Sequence, residues 1–364
     1  RTPEGLSTVF LESDGDSAHP VVDLVFTRED LGGATAPLLV GEESHSWAEA
    51  LALEDGSLAI AWLSDPGFVT RTAFRRIDPR GLPFGDRVDV DLEGSTCVDL
   101  ARAGPLVAVA YRGRDGMDPV AYLAFVDPIA GGRRSERFLL GPDDVSPQLG
   151  ALPGERVVAV LPDATGVTLR TFASSGELPA SLRIPVDRAV GRTAVAVNGG
   201  VIALAMQVGE AGLRGLRVVL VDEGLGAASA PIEIVPDGFF GVLGTRIVAT
   251  PAGYTLSWGE SIGDFGDGRF LVAHLGPDGR PLEARRVVFA GQLGSFAGPA
   301  LASTGELTWL ATSRPVEGVG HAQLFLAEYA CVARSGCAAM DADPEPGACD
   351  EPRVLGYRID AGRC

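Results

Sequence analysis

The sequence predicts an all-β chain built from one four-stranded unit repeated along its length. Three observations carry this. A turn followed by an apolar strand recurs at a regular period, Asp, Pro and Gly punctuate the strands, and apolar residues scarcely ever recur at the helical spacing of 3.6.

The recurring strand occupies 56–62 (GSLAIAW), 105–111, 154–160, 200–206, 253–258 and 305–310, at a period of about 45 to 53 residues. A second extended run follows each and ends in a turn, as 69–77 does before Asp78-Pro-Arg-Gly81 and 120–126 before Asp127-Pro128. Pro fixes φ, Asp bonds to nearby backbone N–H groups and Gly supplies positive φ, so these are hairpin turns. A short strand such as 87–91, 232–235 or 286–289 closes each unit, and an apolar run such as 48–53 opens the next.

Four short strands repeated at this period resemble the blades of a β-propeller. The resemblance covers nearly the whole chain and is generic, because the Trp-Asp dipeptide of WD40 units and the paired glycines of kelch units are missing. One segment, 304–309 (TGELTW), resembles the repeat of quinoprotein propellers. The resemblance implies a single propeller over residues 1–332. Strands at 7–12, 21–27 and 36–40 add a seventh blade to the six copies, six blades with an N-terminal extension being the alternative. A tail strand at 354–359 is expected to complete the N-terminal blade and so remove exposed edges.

The tail, 333–364, has a different composition. Cys331, Cys337, Cys349 and Cys364 crowd this end of the chain, which reads as a disulfide staple formed in an oxidising compartment, with three pairings open. No C-x2-C knuckle is present to favour zinc. Cys97 stands alone in an apolar run, as a buried, inert thiol would. The chain starts at Arg1 without Met or an apolar leader, the start expected of a mature or trimmed product.

With 46% hydrophobic and 21% charged residues the chain has material for a core, and its apolar runs are too short to span a bilayer. All thirty basic residues are Arg, which excludes Schiff-base chemistry and the lysine of a phosphate-binding loop. A net charge of −18 argues against nucleic acid and suits a cationic partner or a divalent metal.

In a four-stranded blade the loops after the second and fourth strands leave on one face. Those loops hold Asp14, Asp16, Asp65, Asp115, Asp118, Asp163, Glu210, Glu260, Asp264, Asp267 and Glu317, then Glu42, Glu43, Glu93, Asp143, Asp144, Asp187 and Asp237. Arg concentrates on the other face, at Arg75, Arg76, Arg80, Arg133, Arg134, Arg280, Arg285 and Arg286. One face should therefore be acidic. Its best Ca²⁺ candidates are Asp14 with Asp16 and Asp264 with Asp267, where Gly permits tight wrapping, although neither pair completes an EF-hand. His19, His45 and His321 could approach Asp14 or Asp16 as an alternative metal site, leaving His274 apart.

No Gly-x-Ser-x-Gly elbow is present, and no catalytic residue is assigned. Trp62 and Trp258 fall on equivalent strands, as packing residues do. The expectation is a non-enzymatic, extracytoplasmic binding or assembly module that meets a protein or glycan partner on its acidic loop face. The alternatives are a hydrolase or lyase acting on carbohydrate with carboxylates in the central channel, and a subunit of a larger surface assembly.

Overall fold

The computed structural model describes residues 6–12, 21–27, 38–41, 44–64, 71–91, 98–115, 118–142, 147–187, 190–210, 214–236, 241–261, 267–292, 300–303, 307–316, 319–330 and 353–358. Among these residues every regular element is a strand, and the strands form seven antiparallel sheets. The first sheet has three strands: β1 (Leu6–Glu12), β2 (Val21–Thr27) and β3 (Leu38–Gly41). The second holds β4 (Ser44–Ala52), β5 (Leu58–Ser64), β6 (Arg71–Ile77) and β7 (Pro83–Asp91). The third holds β8 (Val98–Ala103), β9 (Leu106–Asp115) and β10 (Asp118–Asp127), edged by the short β11 (Gly132–Arg133) and β12 (Phe138–Pro142).

The fourth sheet comprises β13 (Gln148–Leu152), β14 (Arg156–Asp163), β15 (Gly166–Ala173) and β16 (Gly176–Pro185). The fifth comprises β17 (Val190–Asn198), β18 (Val201–Val208), β19 (Gly215–Asp222) and β20 (Ile232–Val235). The sixth is β21 (Gly241–Thr250), β22 (Gly253–Ser261), β23 (Asp267–Leu275) and β24 (Arg286–Gln292). The seventh is β25 (Ala300–Ser303), β26 (Leu307–Val316), β27 (Val319–Ala330) and β28 (Arg353–Arg358).

The tail strand corrects one expectation. β28 pairs along β27, Leu355 opposite Leu326, and so belongs to the last sheet, whereas the N-terminal sheet was expected to receive it. The reason is local: the other four-stranded sheets find their outer strand just after the third, but the last unit has to take its own from the tail, which covers the long edge of β27.

The sheets pack face against face in chain order. On β9, Val107, Val109 and Tyr111 enter a cluster with Ala59, Ala61 and Leu63 of the second sheet, while Ala108 and Ala110 face Val157 and Ala159 of the fourth. Across the next two interfaces, Leu204 and Met206 pack on Val158 and Val160, and Ala203 and Ala205 on Leu256 and Trp258. Successive side chains of a strand point to opposite faces, so a middle strand buried on both faces needs an unbroken apolar run. β5 is buried along its whole length for this reason, and outer strands such as β16 alternate between covered and exposed residues. Turns are closed by Asp: the Asp78 carboxylate accepts from the N–H groups of Arg80 and Leu82, and that of Asp127 from Ile129 and Ala130.

Leu204, fully buried between the fourth and fifth sheets, tests the two-sided packing. Leu204→Ala should lower unfolding free energy by about 2–5 kcal/mol, and Leu282→Ala, at a site 61% exposed, by under about 0.5 kcal/mol. Chemical denaturation of the two variants measures this, and equal effects would contradict the packing described.

A charged layer at the centre of the ring

The first strand of each sheet from the first to the sixth lies against the first strand of the next, so β1, β4, β8, β13, β17, β21 and β25 form the inner rim. On that rim the same register position recurs. Glu49 stands opposite Ala61, Asp99 opposite Ala110 and Arg246 opposite Ser257, in each case the residue before the buried aromatic Trp62, Tyr111 or Trp258. The matching positions of the fourth and fifth sheets carry Leu149, opposite Ala159, and Ala194, opposite Ala205. One layer of the rim thus brings two carboxylates and a guanidinium from three sheets together with apolar residues from two others.

The contacts confirm the layer. Arg246 Nη2 donates to Glu49 Oε1 at 2.6 Å, joining the sixth sheet to the second across 197 residues of chain. Asp99 Oδ2 accepts from the Leu149 N–H at 2.5 Å, tying the third sheet to the fourth. Burial, and next the negative charge of Glu49, push the Asp99 carboxyl up to about 7 against the pull of the Leu149 N–H and of Arg246. The Glu49 charge holds Arg246 protonated above its ordinary range. The Glu49 and Arg246 side chains keep 24% and 32% of their surface open, so water reaches the layer. The arrangement can exchange a proton near neutrality, and it can offer a polar ligand both donors and acceptors.

Most of the anticipated metal residues fall outside the described part of the chain. Asp14, Asp16 and Asp264 lie outside the described residues; Asp267 opens β23 opposite Gln292, and nothing is described of its side chain. All five cysteines and His19 also fall outside, and His45 and His321 are described only as residues of β4 and β27. His274 sits within the sixth sheet, its Nδ1 3.0 Å from Thr255 Oγ1. Among the described residues no group of three or more His, Cys, Asp or Glu could hold a metal ion, and no helix is long and apolar enough to cross a membrane.

Several residues read as opposed surface charges are buried or paired. Glu260, read as an acid of the loop face, is 1% exposed and accepts from Trp258 Nε1, Arg269 and Arg285. Asp163 is held by Arg183, whose hydrogen bonds are the main reason its carboxyl lies far below the ordinary range, and Asp187 pairs with Arg217. On the opposite face Arg76, Arg80 and Arg134 pair with Asp55, Asp78 and Asp127, so the cations there are neutralised in place. Trp62 and Trp258 are both fully buried. The sequence reading passed over Glu49, Asp99 and Arg246, which stand in runs otherwise rich in apolar residues. Aligning the units on Trp62, Tyr111 and Trp258 places Asp99 and Arg246 at one position, twelve residues before the aromatic, and leaves Glu49 one residue out of step at thirteen, because the turn after β4 is longer than the one after β8.

No protein-family model matches the chain, and no curated protein matches it in sequence. Solved structures do. A protein from Lactobacillus plantarum superimposes with a TM-score of 0.58 at 12% identity, over 89% of this chain and 91% of that one. The β-propeller domain of the Trilobed protease from Pyrococcus furiosus, described as having an open velcro topology, gives 0.53 at 10% identity over 90% of each. A structure from an analysis of two prolyl endopeptidases gives 0.54 at 11% identity over 98% of this chain, which spans about half, 48%, of that one. These likenesses show the fold alone: the chain is a β-propeller of antiparallel sheets.

Asp99→Asn tests the layer. The folded pKa, about 7, exceeds the ordinary 3.8, so the folded state holds the proton more tightly and loses stability as pH rises from about 4 to about 7. The variant escapes that loss. Its Tm relative to the wild type should climb by several degrees between about pH 5 and about pH 8. A difference that does not change with pH would show that Asp99 titrates as an ordinary carboxyl.

Proposed function

We propose that the chain is an extracytoplasmic seven-bladed propeller that serves as a binding module and holds a protein or glycan partner at the mouth of its channel. The observation that carries this is the layer of Glu49, Asp99 and Arg246. It gathers hydrogen-bonding groups of both signs at the ring centre, and the Arg246–Glu49 bridge spans the passage beneath a bound partner. In this reading the sheet of β1–β3 is the seventh blade, the cysteines of the tail staple the chain end in an oxidising compartment, and Asp14, Asp16, Asp264 and Asp267 are offered to Ca²⁺. Calorimetry with Ca²⁺ and with EDTA tests the metal: a bound ion should raise Tm and its removal lower it, and an unmoved Tm removes Ca²⁺ from the proposal.

A second reading has its own support. A carboxyl titrating near neutrality beside a second, Arg-paired carboxylate is the arrangement of an acid and base pair, which fits a hydrolase or lyase acting on carbohydrate. A panel of polysaccharides, assayed for both binding and released products, separates the two. Binding without turnover, weakened about tenfold or more by Glu49→Gln or Arg246→Met, supports the module. Product release abolished by both Asp99→Asn and Glu49→Gln replaces it with the enzyme. Neither binding nor release rejects both.

A further inference from the structure

The fifth sheet carries a group that the channel layer does not use. Arg214, just ahead of β19, is half-buried and has no hydrogen-bond or ion-pair partner among the described residues, and its Nε is shielded from solvent. Arg76, Arg80, Arg134, Arg183, Arg217 and Arg269 all find carboxylates. An unpaired guanidinium removed from water is costly, and in a chain with 48 acidic residues a partner would have been easy to supply.

Gly191 gives the guanidinium its place. A Cβ there would lie 2.4 Å from Arg214 Nη1, 2.6 Å from Cζ and 2.9 Å from Nε, so the arginine occupies the space a side chain would fill. Gly191 lies in a bulge, where the register of β17 against β18 shifts between Val190 and Thr193. Bulges re-aim side chains and recur beside binding sites. Thr193, in the same bulge, is 4% exposed, and its hydroxyl also has no partner among the described residues. Across the strand pair, Gln207 spends its Nε2 donor on Thr245 Oγ1 at 2.9 Å. The bulge and the arginine packed on it therefore present two shielded donor groups, Arg214 Nε and the Thr193 hydroxyl, that no described residue satisfies, one of them cationic.

We propose that this bulge is a binding site for a small oxyanion group, a carboxylate or a sulfate carried by an acidic ligand. Arg214 would supply the charge-assisted donors and Thr193 a neutral one. β17 belongs to the inner rim, so a ligand held there borders the channel. The inference names ligand chemistry for the binding module and rests on that reading for the ligand being part of a larger partner; the oxyanion site is testable alone.

Titration calorimetry and thermal shift with sodium glucuronate and with sodium sulfate test it, with glucose and sodium chloride as controls. The wild type should bind one or both anions and be stabilised by them, and the preference between them identifies the source of the group. Arg214→Met should weaken binding about tenfold or more. Gly191→Ala should do the same while folding normally, since residue 191 is not in the left-handed region and the added methyl displaces only the end of a flexible side chain. Leu282→Ala, at an exposed site, should leave anion binding intact. Stabilisation equal to that by the controls, or binding unchanged in Gly191→Ala, overturns the site. Should Arg214→Met abolish anion binding and leave glycan or protein binding untouched, the site and the module both stand and the link between them falls. Anion binding without any macromolecular partner sinks the module and keeps the site.

Discussion

The structure depends on one constraint: each middle sheet is apolar on both faces and has to be covered by a neighbour on each side. Val107, Val109 and Tyr111 need the second sheet, and Ala108 and Ala110, on the same strand, need the fourth. Hydrophobic burial is roughly proportional to apolar area, so a strand satisfied on one face alone would forfeit about half of its contribution. No middle sheet is complete by itself, and the stack is stabilised through its interfaces in the manner of other repeat architectures. The backbone groups are paired within each sheet, leaving the faces free to be filled by side chains without polar atoms.

This packing decides where polar chemistry can stand. With both faces closed, charge is admitted at the inner edge, the outer edge and the two rims of loops. The inner edge is the most demanding of these, because groups from several sheets converge there with limited access to water. Two carboxylates and one guanidinium in a single layer would carry one net negative charge. A proton on Asp99 removes it, which is why desolvation and the Glu49 charge act in the same direction on that carboxyl. Leu149 and Ala194 make the adjoining part of the layer, in the fourth and fifth sheets, apolar.

The blades were legible because their signals are local. Apolar runs, Asp-Pro and Pro-Asp-Gly turns and the period itself are written in contiguous residues, and the third-strand turns at Asp78 and Asp127 fall where those residues placed them. The charged layer was not, because its members come from units separated by as many as 197 residues and are related only through register. Glu49 was absorbed into an opening run, 48–53, whose other members are mostly apolar. The tail strand was assigned to the wrong sheet for a related reason: an apolar run states that it will pair but does not state with which edge. Glu260 was mistaken for a loop acid because its place at the end of β22 was visible, while the Trp258, Arg269 and Arg285 donors around it depend on the pairing of β22 with β23 and on the turn beyond.

The arginines show how local pairing reshapes a charge argument. Counted along the chain they crowd one face and imply a basic surface. In space they close the turns that the acids begin: Asp78 and Asp127 each accept backbone N–H groups with the carboxylate that also holds Arg80 or Arg134. A carboxylate so engaged serves the hairpin, and its arginine adds little field at a distance because the pair is neutral. The same reasoning withdraws Asp163, Asp187 and Glu260 from the other face. An acidic docking surface must then be made by carboxylates that the strands leave unengaged. Arg214, without a partner among the described residues, stands out against this background, since most of the cations described on these sheets are paired.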